Sequence, residues 1–205
     1  KNLIELSIKG FPLVSIDRYA KGLLIPSVTS DNFNASFKAT EYFLKQGNKK
    51  ILFASASPQN TSTLTERFEG FRQAYVDNGV LLSADNFITD LKSPVEYTDE
   101  NKEQDTEKIA NALRENNITS VIAAESGAGA LCAVAAEKAG KHFSEDFEMI
   151  CFDKSSKMPQ HKNITSILQN EQEMGKAAVN QLMHIIHNES FDMRTVIDTR
   201  FFSAI

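Results

Sequence analysis

The chain has no tryptophan, only two cysteines, and just five prolines and nine glycines among 205 residues. So few cysteines exclude a disulfide-stapled scaffold, and so little glycine and proline excludes collagen-like or low-complexity sequence. No apolar run approaches the roughly 20 residues that a membrane span needs. Basic residues form no block: 22 Lys and Arg are scattered against 27 Asp and Glu, for a net charge of −5. That balance argues against this stretch itself gripping nucleic acid, which needs a basic face. The chain opens on Lys1-Asn2-Leu3-Ile4, with neither an initiator Met nor a secretory pattern. The expectation is a piece of a longer cytoplasmic protein with no membrane contact. What is present is ordinary globular material, 41 % hydrophobic and 24 % charged, enough to bury a sizeable core. Cys132 and Cys151 lie far apart with no CxxC spacing, and read as buried small hydrophobes in a reducing compartment.

Strand-like and helix-like segments alternate. Residues 1–9 read as a helix with Leu3, Ile4 and Ile8 on one face, stopped by Gly10. Strands are predicted at 11–16 and 27–29. Asp31 caps a helix to Gln46, with Phe33, Phe37, Phe43 and Leu44 as its apolar stripe. A strand at 50–54 leads through a polar loop at 55–63 to a helix at 66–78, with Phe68, Phe71 and Tyr75 inward. A strand follows at 86–90, an exposed polar excursion at 92–105 and a helix at 106–116. Further strands are expected at 120–124, 148–152 and 164–168, with a Gly/Ala-rich helix at 126–139. Asn170 and Glu173 have the spacing of a capping box, opening a helix to about His187, and 194–202 closes the chain as one strand. Short apolar strands between amphipathic helices predict an α/β fold of parallel βαβ units, with helices on both sheet faces.

Ligands in open parallel sheets bind beyond the carboxyl ends of the strands. The residues there are Asp17-Arg18, Glu125-Ser126-Gly127, Asp153 and Gln169, with Arg67 near the start of the helix that follows 50–54. Carboxylates, arginines and an amide together suit a polyhydroxylated ligand, whose hydroxyls both donate and accept. Each residue also has a plainer reading. Asp17-Arg18 forms a surface turn; Asp153 caps a turn; Gln169 bonds nearby backbone; Ser126 is a helix N-cap. Arg67, placed in a first helical turn, opposes the helix dipole, which favours an ion-pair or ligand role.

Several chemistries lack their motifs. Gly127-Ala128-Gly129 is followed by Cys132 at the third fingerprint position, so no dinucleotide loop is present. Neither GxxxxGK[ST] nor GxSxG occurs, and no cofactor or metal set is read. His184 and His187, three apart, are surface residues near a helix C-terminus. The run Asp99-Glu100-Asn101-Lys102-Glu103 is a solvated face.

Taken in order, these stretches resemble the lactose/galactose repressor (LacI/GalR) family. Phe11-Pro12-Leu13-Val14-Ser15-Ile16-Asp17-Arg18 is similar to its "P-hydrophobic-V-x-hydrophobic-D-R" stretch. Val28-Thr29-Ser30-Asp31-Asn32 and Leu44-Lys45-Gln46-Gly47-Asn48-Lys49-Lys50-Ile51 resemble "V-x-x-D-N … L-x-x-x-G-H-x-x-I". Arg67-Phe68-Glu69-Gly70-Phe71 resembles "R-x-x-G-[FYW]", Ile150-Cys151-Phe152-Asp153 "V-x-G-[FY]-D", and Leu168-Gln169 ends a stretch like "L-T-T-[IV]-x-Q". The resemblance implies a two-lobed, periplasmic-binding-protein-like type I fold with three crossovers and a small ligand between the lobes. It places 1–29 and 170–196 in an incomplete N-terminal lobe, and 30–169 and 197–205 in the C-terminal lobe. It also implies an N-terminal DNA-binding headpiece outside this chain.

By this resemblance Asp17, Arg67 and Asp153 fall on effector-contacting positions; Ser126 and Gln169 complete the candidate set, with Gln169 at a crossover. Three departures stand out. Ser126-Gly127 replaces a frequent Asn-Asp pair, Lys154 replaces a second acid, and Asn48 replaces a common His. The expected function is effector sensing in a homodimeric bacterial regulator, a repressor, with a carbohydrate altering operator DNA affinity. A secreted sugar-binding receptor of the same fold is the alternative. An enzyme ranks last, because no nucleophile–base pair is in view.

Overall fold

A computed structural model describes residues 2–92, 96–143, 147–154 and 162–203. In chain order the first elements are α1 (Asn2–Ile8), β1 (Ser15–Ile16), β2 (Ser27–Ser30), α2 (Asn32–Lys45), β3 (Ile51–Ala56), α3 (Ser62–Asp77) and β4 (Phe87–Leu91). Then come α4 (Asp99–Glu115), β5 (Ser120–Ala123), α5 (Ser126–Lys138), β6 (Glu148–Phe152), β7 (Ile164–Leu168), α6 (Glu171–Ile186), β8 (Arg194–Ile197) and β9 (Arg200–Ser203).

The strands form two sheets. The smaller has the order β1-β2-β8 and is parallel throughout. The larger has the order β4-β3-β5-β6-β7-β9, parallel except for β9, which runs antiparallel to β7. The chain crosses between sheets three times: from β2 into α2, from β7 into α6, and from β8 into β9.

Alternation along the central strands divides the apolar residues of the larger sheet between two cores. Leu52, Ala54, Val121, Ala123, Met149 and Cys151 face one layer, which holds Ile109 and Leu113 of α4 and Leu131 and Ala135 of α5. The intervening Ile51, Phe53, Ile122, Ile150 and Phe152 face the other, with Phe43 of α2 and Phe71 and Tyr75 of α3. Strands buried on both faces need unbroken apolar sequence, and β3 and β5 are buried at every position. On the second face α2 and α3 approach so closely that a Cβ at Gly70 would lie 2.2 Å from the Phe33 carbonyl oxygen. Only glycine fits there without displacing a helix.

Several expectations are corrected. Only Ser15–Ile16 of the predicted 11–16 strand pairs, because β1 meets β2 at just those positions. Phe43 and Leu44 of the expected α2 stripe are buried, but Phe33 is 36 % exposed, and small residues (Ala35, Ser36, Ala39) extend the buried stripe in its place, as the close α2–α3 packing demands. The polar excursion at 92–105 is partly helical: Thr98 and Asn101 form a capping box that opens α4 at Asp99. Its inward face there is polar, with Asp105 accepting from the Lys92 backbone N–H at 2.8 Å. The box expected between Asn170 and Glu173 does not form, since the Asn170 side chain makes no cap bond. The single closing strand is two strands in different sheets, β8 and β9. The face of α1 carrying Leu3 and Ile8 is exposed, at 57 % and 81 %. Cys132 and Cys151 are buried free thiols, as expected. Burial alone pushes the Cys132 thiol up to about 12, and burial with neighbouring negative charge raises that of Cys151.

Candidate ligand-binding cleft

The strand ends and the crossovers meet around one side chain, Arg67. Helix α3 starts at Ser62, capped by the Thr61 hydroxyl, so Arg67 lies in its second turn rather than the first. The reason it tolerates that position is burial against acceptors, not an exposed ion pair. Arg67 is 4 % exposed. Its Nε donates to Asn32 Oδ1 at 2.8 Å and its Nη1 to the Ala124 carbonyl at 2.6 Å. The guanidinium lies 4.0 Å from the centre of the Phe152 ring. Burial pushes its pKa down from the ordinary value, while the charges of Asp153, Asp17 and Glu125 pull it up. Nη2 has no protein acceptor among the described residues.

Asp153 and Gln169 join this cluster. Gln169 donates from Nε2 to the Asp153 carboxylate at 3.3 and 3.4 Å, and accepts from the Ser30 hydroxyl at 2.9 Å. Ser30 ends β2 in the smaller sheet, so these bonds span a crossover. Asp17 and Asp153 end β1 and β6 with positive φ, 71° and 64°. Each donates its backbone N–H to the neighbouring strand, to Val28 and Ile167 respectively, both at 2.9 Å. Aspartate accepts this left-handed geometry better than most residues, and its use at two equivalent strand ends marks a constrained site. Asp17 stands further out, with Arg18 Nε bonded to its carboxylate at 3.3 Å. Ser126 is the first residue of α5, half-buried and outside the hydrogen-bonded cluster; Glu125, not Ser126, takes the N-cap position.

One cluster member, Asn32, is not among the sequence candidates, and a second, Glu125, is named there at its strand end but not carried into the candidate set. Asn32, fully buried, bonds both the Ser30 carbonyl (3.0 Å) and Arg67. Its signal was its place just after β2, obscured by Asp31, which does cap α2. Glu125 lies directly after the Ala124 carbonyl held by Arg67, and accepts from the Ala56 N–H at 3.4 Å. Among the described residues, no group of three or more His, Cys, Asp and Glu could hold a metal ion. No helix among them is long and apolar enough to cross a membrane.

Two α/β sheets joined by three crossovers, with a buried arginine amid carboxylates and amides at the strand ends, define a binding domain of the periplasmic type. The chain belongs to the periplasmic binding protein domain family, whose pattern matches residues 3–190. It is 25 % identical over 194 residues to catabolite control protein A of Priestia megaterium, covering 94 % of this chain and 56 % of that protein. The chain thus spans little more than half of that curated relative's length. A regulatory protein of the LacI family from Chloroflexus aggregans shares its fold, with a TM-score of 0.82 at 18 % identity, over 98 % of this chain and 71 % of that one. So does a LacI family transcriptional regulator from Enterococcus faecium with bound ribose: TM-score 0.71, 22 % identity, 97 % of this chain and 71 % of that one.

Proposed function

We propose that the chain is the effector-sensing part of a bacterial transcriptional regulator of the LacI/GalR type, acting in the cytoplasm as a homodimer. Residues 1–29 and 170–196 make one lobe, and 30–169 and 197–205 the other. A sugar or sugar derivative sits between them and changes operator affinity through a DNA-binding headpiece. The observation that carries this reading is Arg67: a guanidinium 4 % exposed, fixed through two of its nitrogens, with the third left over at a strand-end cleft. Such a group offers a pre-oriented donor to a ring oxygen or hydroxyl. Asp17, Asp153 and Gln169 supply acceptors and an amide, and Ser126 flanks them. A regulator among the structural relatives holds ribose, which supports the ligand class.

A ligand that bridges the lobes favours one arrangement of them by its differential affinity, and that difference is what reaches the DNA. The test is a thermal-shift and calorimetric screen of the intact protein against pentoses, hexoses and disaccharides, repeated with Arg67→Ala. A sugar that raises Tm in the wild type and not in the variant, with the far-UV spectrum unchanged, is the expected result. Undiminished affinity in Arg67→Ala, or no response to any sugar, overturns it.

A further inference from the structure

Two hollows adjoin along α3, and no member of the Arg67 cluster lines either. The first, about 280 Å³, lies between Arg18, Tyr19 and Lys21 after β1 and the stretch from Gln59 to Thr65 that leads into α3. The second, about 470 Å³, shares Lys21, Gln59 and Thr65 with it and runs on to Phe68 and Arg72 of α3 and Phe87 of β4. What the first hollow has left over is donors. Lys21 is exposed and forms no ion pair among the described residues. Arg18 gives its Nε to Asp17 at 3.3 Å and keeps both terminal nitrogens. The Ser62 hydroxyl accepts the Tyr19 N–H at 3.1 Å, so its own proton is unspent. Gln59 accepts from Ser57 through Oε1 at 2.5 Å and keeps its Nε2 hydrogens. The charged side chains lining the two hollows are Arg18, Lys21, Arg72 and Glu69. Asp17 offsets Arg18 and Glu69 offsets Arg72, which leaves Lys21. Glu66 and Asp90, acids next along the chain to lining residues, are held by Arg194 and Lys108. One positive charge is therefore in excess, in a corner whose free groups all donate.

The second hollow offers flat apolar surface. Phe68 and Phe87 are half-buried and meet edge to face, with ring centres 5.4 Å apart. The Arg72 guanidinium stands 6.0 Å from the centre of the Phe68 ring. An aromatic ring laid there stacks on the phenyl pair and meets a cation at its side. We infer that the joined hollows are a second ligand site, for a nucleoside monophosphate. Its base lies against Phe68 and Phe87, its ribose beside Gln59 and Thr65, and its phosphate at Lys21, Arg18 and Ser62. Free phosphate leaves the aromatic wall bare, and a nucleoside leaves the Lys21 charge unmatched. The site is separate from the sugar cleft and does not depend on that reading. Its Arg18–Lys21 wall follows β1 of the smaller sheet, whereas α3 and β4 belong to the larger-sheet side, so the nucleotide bridges the two.

The test is calorimetric titration of the intact protein with the adenine, guanine, cytosine and uracil nucleoside monophosphates, each beside its nucleoside. Ribose 5-phosphate and inorganic phosphate are the probes that lack a base. The expected result is a monophosphate that binds at least about tenfold tighter than its nucleoside and than ribose 5-phosphate, with an affinity that falls in about 0.5 M salt. Lys21→Gln removes the surplus charge at an exposed position, and is expected to weaken that binding about tenfold with Tm unchanged. A nucleoside, ribose 5-phosphate or inorganic phosphate that binds as tightly as the monophosphate overturns the inference. So does wild-type affinity in Lys21→Gln, or the absence of any nucleotide binding. None of these outcomes touches the sugar reading, whose own test is Arg67→Ala.

Discussion

Arg67 and Asn32 are bonded to each other in the interior, Nε to Oδ1 at 2.8 Å, and Asn32 turns its amide nitrogen to the Ser30 carbonyl. The pair ties α3 to the first crossover. Asn32→Ala leaves a buried guanidinium N–H and a buried carbonyl short of partners. The expected cost is about 1–3 kcal/mol, read as a lower denaturation midpoint with an unchanged slope. Ligand affinity falls as well, because Arg67 loses the bond that aims it. A variant as stable as wild type shows that water or another acceptor replaces the amide.

Gly70→Ala puts a methyl group 2.2 Å from the Phe33 carbonyl oxygen. Backbone cannot swing aside as a side chain does, so α2 and α3 must separate. Overpacking of this kind costs about 1–3 kcal/mol, which for a chain of this size lowers Tm by several degrees. Gly175, which has open space around it, is the control: Gly175→Ala is neutral or stabilising in the same melt.

Tyr75 is wholly buried, its hydroxyl donating to the Lys49 carbonyl at 3.0 Å and accepting from the Asn86 amide at 3.1 Å. Burial raises its pKa to about 12, against a smaller opposing effect of the Ile51 N–H. The unfolded chain releases this proton near pH 10, the folded one later. Stability is therefore intact below about pH 10 and is lost as the pH rises toward 12. In Tyr75→Phe the alkaline slope of unfolding free energy is shallower between those limits, even though the variant is less stable at pH 7. Equal slopes in the two proteins remove Tyr75 as the cause.

The parts of this fold that could be read from sequence are those where local pattern and tertiary role agree. Residues 51–54 and 121–124 are apolar because both faces of the sheet are covered, and their boundaries were predicted within a residue or two. Helix α4 was half missed because its first turns carry Asp99, Glu100, Asn101, Lys102 and Glu103, and a capping box rather than an apolar stripe starts it. The split of 194–202 into β8 and β9 is a decision between sheets, made by partners distant in sequence: Ser27–Ser30 for one strand and Thr165–Leu168 for the other. At the cleft, Asp17, Arg67, Asp153 and Gln169 were visible as polar groups at strand ends. Asn32 was not singled out, because Asp31 beside it has a ready local role as a cap, and Glu125, though named at its strand end, was passed over for Ser126 as an apparent cap.

Arg194 and Glu66 join the two sheets directly. Arg194 opens β8 and Glu66 lies on α3, and their side chains pair while 41 % and 14 % exposed. Tyr19, after β1, supports the pair from the smaller-sheet side, with the Arg194 guanidinium 4.8 Å from its ring centre. Its backbone N–H donates to the Ser62 hydroxyl at 3.1 Å, a second link to α3. Desolvation, with the Glu66 charge, raises the Tyr19 pKa, so its hydroxyl stays protonated in the cluster. An exposed ion pair is worth little, about 0–1 kcal/mol, but this one is part of a ring-stacked group with a half-sheltered carboxylate. A double-mutant cycle of Arg194→Gln and Glu66→Gln is expected to give a coupling of about 0.5–1.5 kcal/mol that shrinks with salt. The same contacts link β8 and the segment after β1 to α3, the helix that carries Arg67. On the sugar-binding function proposed above, each single variant is expected to release the sugar faster, with its association rate little changed. A normal off-rate in both variants would mean that the Gln169, Asn32 and Tyr19 N–H bonds suffice to hold the sheets together.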